Sequence, residues 1–252
     1  MTIDAFIKVD KLYFSYDGTK SVLENITFEA GRNERIGIVG PSGSGKSTLL
    51  FAIAGLLPFS RVKGNTFINN EKMMESKAAR LRKQIGLVMQ NPDDQLIGAT
   101  VQEDIGLGLF ARGFDKNAIF AKVKEQLKGM RISELAQRSP CEISFGEKKR
   151  ACVAGILAVE PDLLLLDEPG EGLDPRGKRE LINIICNNRA CMMISGHDME
   201  LILNTTEKVI VLDKGEIVAF GLTQEILADE KIMEHHGLMV PPSLRVRHYE
   251  KK

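Results

Sequence analysis

At 252 residues the chain is long enough for one large domain or two small ones. Apolar residues make up 43% of it and charged residues 27%, with 34 basic side chains balancing 34 acidic ones. That balance removes any global electrostatic case for nucleic acid as a partner, while the apolar share supports a substantial core. No apolar run reaches the ~18–20 residues that a membrane-spanning helix needs. The start, Met1-Thr2-Ile3-Asp4, lacks the basic-then-apolar order of a secretory leader. The sequence therefore reads as a soluble, cytoplasmic chain.

Residues 5–39 read as β structure. Segments 7–9, 13–16, 22–28 and 34–39 alternate or run apolar, with Asp17-Gly18 and Ala30-Gly31 as turns. The last of these strands opens into a glycine-rich loop, and a helix is expected over 46–57. Further β stretches fall at 62–68 and 85–89. Residues 98–139 change character, with helical patterns at 101–111, 115–129 and 132–138 joined by glycine- and charge-rich segments. Then come a helix over 146–159, a strand at 163–167, a helix at 176–188, a strand at 191–195, a helix at 198–204 and a strand at 208–212. Such alternation implies a mostly parallel sheet covered on both faces. Lys214-Gly215 turns the chain into a hairpin strand at 216–219. A short helix follows, and a basic tail from Arg245 to Lys252 ends the chain. The expected organisation is one α/β domain over 1–240, with a helical insertion at about 98–139 and a tail over 241–252.

Three features read as structural. Lys148-Lys149-Arg150 has the pattern of a solvated helix face. Cys141, Cys152, Cys186 and Cys191 show no CxxC spacing and read as buried thiols. His235-His236 are adjacent, so they do not share a helix face and read as a surface pair rather than metal ligands.

Gly40-Pro41-Ser42-Gly43-Ser44-Gly45-Lys46-Ser47-Thr48 satisfies G-x-x-x-x-G-K-[ST] in full, with a strand before it and a helix after. Glycines let backbone N–H groups turn inward around phosphate oxygens, and the helix N-terminus adds partial positive charge. Lys46 is placed to reach the β- and γ-phosphates, and the Ser47 hydroxyl to ligate Mg²⁺. Leu163-Leu164-Leu165-Leu166 is a buried strand that ends in Asp167, a second candidate for holding Mg²⁺. Glu168 comes next and points elsewhere, as a candidate to polarise an attacking water.

Together with Ser144-Phe145-Gly146-Glu147, about one helix ahead of that strand, these elements resemble the ATP-binding cassette (ABC) ATPases from about residue 5 to residue 225. The resemblance implies an α/β fold, a P-loop NTPase core with an N-terminal antiparallel β subdomain and an inserted helical subdomain. It also implies ATP and Mg²⁺ as cofactors. Tyr16 matches the family's adenine-stacking aromatic, and Gln90 its Q-loop glutamine, which joins Mg²⁺ and the γ-phosphate to the transporter contact. Ser144 and Gly146 match the signature that holds the γ-phosphate of the opposite subunit. Gly172-Leu173-Asp174-Pro175 resembles the D-loop, and His197 the switch histidine on the γ-phosphate. In the family, two such chains sandwich two ATP molecules head to tail.

Two departures narrow the resemblance. Asn91-Pro92-Asp93-Asp94-Gln95 after Gln90 is similar to the ATPases of energy-coupling-factor importers. In those importers the groove beside the Q-loop receives arginine-bearing helices of a membrane coupling protein, and Asp93 and Asp94 are candidates to pair with them. Ser-Phe-Gly in place of Ser-Gly-Gly, with the Glu234-to-Pro242 segment, resembles the cobalt/nickel branch. The implied partners are a second ATPase subunit, a membrane coupling protein and a substrate-binding membrane subunit, and the implied place is the cytoplasmic face of the membrane. Other readings are an importer ATPase for a vitamin or another micronutrient, a cassette ATPase serving a soluble assembly, and a small-molecule P-loop kinase. The last has no use for the signature or the D-loop.

Overall fold

The computed structural model describes residues 5–249, with side chains as far as Arg245. Strands β1 (Ala5–Phe14) and β2 (Leu23–Gly31) precede β3 (Arg35–Val39), which leads through the glycine-rich loop into helix α1 (Lys46–Ile53). There follow β4 (Val62–Ile68), β5 (Glu71–Lys72), α2 (Glu75–Leu81) and β6 (Ile85–Val88). Helices α3 (Val101–Ala111), α4 (Lys116–Gly129) and α5 (Phe145–Ala158) come next. The core then alternates: β7 (Leu163–Asp167), α6 (Pro175–Asn187), β8 (Cys191–Ser195), α7 (Met199–Thr205), β9 (Lys208–Asp213) and β10 (Glu216–Leu222). Helices α8 (Thr223–Ala228), α9 (Glu230–His235) and α10 (Pro242–Tyr249) complete the described chain.

Every residue of β7 and β8 is buried, as expected of parallel strands covered on both faces. Successive side chains of a strand point to opposite faces. Leu163 and Leu165 therefore enter one hydrophobic core, while Leu164 and Leu166 enter the other. Each such side chain contributes about 1.5–3 kcal/mol of burial. The first core joins the antiparallel sheet, ordered β2-β1-β4-β5, to α1. The second lies under the helical insertion and α5.

The main sheet runs β10-β9-β3-β8-β7-β6. Its strands β9, β3, β8, β7 and β6 are parallel, and β10 closes the edge antiparallel to β9. Ligands of open parallel sheets bind outside the carboxyl ends of the strands. Here that edge collects the loop after β3, Asp167 of β7, and the residues that follow β6 and β8.

Several local expectations change. The two strands expected at 7–9 and 13–16 form one strand, β1, with a register shift where Lys11 takes a φ of 47°. The helix after the glycine-rich loop stops at Ile53, four residues early, because Gly55 adopts a φ of +64°. No α-helix covers 132–138; a single tight turn, Ser133–Leu135, follows Arg131 at φ 54°. Helix α2 and strand β5 carry no clear periodicity in the sequence, and three short helices replace the one expected at the end.

Cys152 and Cys191 are buried, but Cys141 and Cys186 are exposed. His236 is not a plain surface residue, since its Nδ1 lies 2.8 Å from Asp213 Oδ2. Where a basic tail is expected from 241, α10 packs into the fold through buried Leu244. Residues 250–252 of that tail lie outside the described residues.

Candidate active site

The loop after β3 turns at Gly43 (φ +77°) and Gly45 (φ +106°), a region open to glycine at little cost. A Cβ at Gly45 would also lie 2.8 Å from Val22 O. Lys46 opens α1 and is only 7% exposed. Its Nζ donates to Gly40 O (3.0 Å) and Pro41 O (3.1 Å) and lies 3.2 Å from His197 Nε2. Burial lowers its pKa, against the opposing fields of Glu168 and Asp167. Ser44 Oγ is buried with no hydrogen-bond partner among the described residues. An orphaned buried hydroxyl in such a loop fits an anionic oxygen as its ligand. Ser42 and Gly43 are exposed at the tip, and Ser47 is half-buried. Thr48 Oγ1 lies 3.2 Å from Tyr16 OH, whose ring is half exposed and stands edge-on to Phe14.

At the end of β7 the two consecutive carboxylates part. Asp167 is 2% exposed and accepts from Ser195 Oγ. Glu168 takes a φ of 47°, and its N–H donates to Ser195 O and Ser195 Oγ, each at 3.2 Å. Its side chain enters a cleft of about 230 Å³ lined by Gln90, Glu171, His197 and Asp198. There Glu168 Oε2 accepts His197 N–H at 3.1 Å, and Oε1 lies 3.4 Å from His197 Nε2. Burial raises the Glu168 pKa, while His197 and then Lys46 pull it back. Ser195 is a site residue that motif reasoning misses. Its signal is the register, since Asp167 of β7 pairs with Ser195 of β8.

Helix α5 begins with a reciprocal cap. Glu147 N–H donates to Ser144 Oγ (3.4 Å), and Glu147 Oε2 accepts Ser144 N–H (2.8 Å) and Ser144 Oγ (2.7 Å). The hydrogen bonds from Ser144 hold the Glu147 carboxyl below its usual range. The next N–H groups, including that of Gly146, begin the helix and have no carbonyl four residues back to bond. Ser144 spends its bonds within its own helix turn, so the structure does not join the signature to the chain's own phosphate loop.

Phe145 has a specific neighbour. Gly172 adopts a φ of +71°, and a Cβ there would lie 2.4 Å from Phe145 Cδ1. The extra ring of the signature thus fills the space left by a glycine in the D-loop. The charged run is not a solvated face. Lys149 is 1% exposed, donates to Met89 O (2.9 Å) and Gln90 O, and lies 6.0 Å from the Phe145 ring centroid. Lys148 Nζ pairs with Asp93 Oδ1 at 2.5 Å. Gln90 Nε2 donates to Glu171 Oε2 at 3.1 Å, and Asp174 caps α6 by accepting Gly177 N–H at 2.6 Å.

A phosphate loop at one strand end, with an acidic pair and a histidine converging on its lysine, defines a P-loop nucleotide-binding ATPase. The loop, Asp167, Glu168 and His197 come together within the chain, and Gln90 lines the same cleft. The ABC transporter family model matches residues 23–171, and the chain belongs to that family of ATP-hydrolysing proteins. It is 38% identical over 238 residues to a putative ABC transporter ATP-binding protein of Gloeobacter violaceus, covering 94% of this chain and 97% of the relative. It is also 38% identical over 244 residues to energy-coupling factor transporter ATP-binding protein EcfA2 of Acetivibrio thermocellus, covering 93% and 86%. Among solved structures, cbiO1 from Clostridium perfringens, part of the complex cbiONQ, superposes with a TM-score of 0.79 at 29% identity. That match covers 97% of this chain and 99% of the other. The cassette MJ0796, a dimer bound to ADP and Pi, gives a TM-score of 0.80 at 25% identity over 86% of this chain and 98% of its own.

Two outcomes follow from this geometry. A carboxyl whose folded pKa is raised makes stability fall as pH climbs from its ordinary 4.5 to the raised value. Above that window the charged Glu168 costs stability. Glu168→Gln is therefore more stable than the parent in urea at neutral pH, and the gap closes as pH falls toward 4.5. A gap independent of pH would contradict the assignment. Separately, Gly172→Ala lowers stability by about 1–3 kcal/mol through overpacking. The loss is smaller in a Phe145→Ala background; equal losses in both backgrounds would show that the ring is not what Gly172 accommodates.

Proposed function

We propose that this chain is the ATP-hydrolysing subunit of an energy-coupling-factor importer, at the cytoplasmic face of the membrane, with cobalt or nickel as cargo. The observation that carries the reading is the outer surface of the helical insertion. Ile97 (80% exposed), Phe110 (74%) and Phe120 (66%) stand out from it, with Leu107 beside them. Leu107, Phe110 and Phe120 line a groove of about 730 Å³ between α3 and α4, and Ile97 precedes its Gly98 and Ala99 in the chain. Apolar side chains clustered this way mark an interaction surface. Glu103 lines the groove, and the acidic corner at Asp93 and Asp94 precedes it in the chain. An apolar helix with basic side chains, as a membrane coupling protein would offer, suits both features. Asp93 already holds Lys148, so an incoming arginine would share or displace that lysine. No helix among the described residues is long and apolar enough to cross a membrane, and the proposed attachment is through partners.

In this reading Lys46 and the amides of residues 40–48 bind the ATP phosphates, and Tyr16 stacks on the adenine. Ser47, Gln90 and Asp167 offer only oxygen ligands, the donor set that magnesium prefers. No cluster of three or more His, Cys, Asp or Glu side chains suited to a metal occurs among the described residues. Mg²⁺ would supply neutralisation of the charge that develops on the phosphates. Glu168, half-buried and held by the His197 N–H, orients the attacking water, and His197 reads the γ-phosphate beside Lys46. Ser144 and the Gly146 N–H serve the ATP of a second subunit, and Asp174 fixes the D-loop at the same interface. ATP closes the pair and hydrolysis opens it.

The likeness to the energy-coupling-factor ATP-binding proteins supports the importer class, and the Ser144-Phe145-Gly146 signature with the 234–242 segment carries the metal cargo. The test is affinity purification of the full chain from detergent-solubilised membranes of its own cells. The expected result is a membrane coupling protein together with a metal-binding membrane subunit. A vitamin-binding subunit would move the cargo, and recovery with soluble proteins alone would overturn the importer reading.

A further inference from the structure

Glu171 places a charge directly ahead of the Gly172-Leu173-Asp174 turn. It does not project idly. Its Oε2 accepts the Gln90 Nε2–H at 3.1 Å, across the cleft that Glu168 and His197 also line. An ionised carboxylate can only accept, so the amide nitrogen must face it and the amide oxygen must face away. We infer that Glu171 is a positioning residue that turns the Gln90 carbonyl oxygen toward the magnesium position. Outer carboxylates orient the ligands of metal sites in this way. The inference rests on the reading of Gln90 as a magnesium-organising residue.

Both ends of the link are anchored. On the Gln90 side, Lys149 donates to the backbone carbonyls of Met89 and Gln90, fixing the main chain from which the amide projects. On the Glu171 side, its own N–H donates to Glu168 O at 3.2 Å, and the next residue, Gly172, is held against the Phe145 ring. Strand β6 pairs with β7 in parallel, Val88 opposite Leu166, and beyond that last pair Gln90 and Glu168 both line the cleft. With both backbones held, the remaining freedom lies in the side-chain torsions of Gln90 and Glu171, rotation of the Gln90 amide among them. A small neutral residue at 171 would leave that rotation open, and the cation would have to order the amide itself on binding.

The experiment measures binding of a fluorescent ATP analogue with and without Mg²⁺ in the full-length parent, Glu171→Ala, Gln90→Ala and the double variant. Magnesium tightens binding in the parent. In Glu171→Ala that tightening falls about tenfold, the lower end of the usual loss for an outer-shell partner. Affinity without Mg²⁺ stays at the parent value, which also shows that the fold is intact. Adding Glu171→Ala to Gln90→Ala produces no further loss. If Gln90→Ala weakens the magnesium effect but Glu171→Ala does not, the inference fails while the reading of Gln90 survives. If Gln90→Ala leaves the magnesium effect unchanged, that reading fails and the inference with it. Equal loss with and without Mg²⁺ in Glu171→Ala would make the residue a mere loop support and overturn the inference.

Discussion

The register of β7 between β6 and β8 is the constraint on which the site depends. Leu163 and Leu165 face one core, Leu164 and Leu166 the other, and all four are buried. A slip of one residue would exchange the two faces and send Asp167 out of line with Ser195. The same register delivers Gln90 and Glu168 to one cleft and puts Ser195 beside both members of the acidic pair. The phosphate loop then needs only to leave the end of β3, two strands away, for Lys46 to meet His197. The chemistry is thus a consequence of two hydrophobic cores sharing one sheet.

A second layer ties the loops together. Burying a lysine is unfavourable unless its donors are satisfied, and Lys149 meets that need with carbonyls of Met89 and Gln90. Burial lowers its pKa, partly offset by Cys152, Glu171, Asp167 and Glu168. One side chain on α5 therefore holds the Q-loop, while its neighbour Phe145 bears on Gly172 of the D-loop. The segment that would meet a membrane partner and the segment that would meet a second subunit are both anchored to the first turns of α5.

Much of this was legible in the residues because it is local. The phosphate loop announces itself by glycine spacing, and β7 and β8 by unbroken apolar runs that only a doubly covered strand explains. The order of loop, Gln90, signature, acidic strand and His197 gave the fold class and brought the family into view. What escaped depends on contacts between distant residues. Lys149 looked like part of a solvated run because the carbonyls that bury it lie some sixty residues upstream. Ser195 has no motif, only a partner in the adjacent strand. Cys141 lies in a tight turn and Cys186 at an exposed position of α6, and cysteine spacing carries no sign of either. The failed helix at 132–138 turned on Arg131, whose positive φ leaves no trace in apolar spacing.

The central claim is that one chain carries both halves of a composite ATP site, completed only by a second subunit. Sedimentation of Glu168→Gln with saturating ATP, alongside its steady-state turnover, tests it most directly. The account predicts a dimer that forms with ATP, and turnover lower by about 10²–10⁴-fold, as loss of a general base entails. A chain that stays monomeric at saturating ATP, or that turns over at the parent rate, would contradict it.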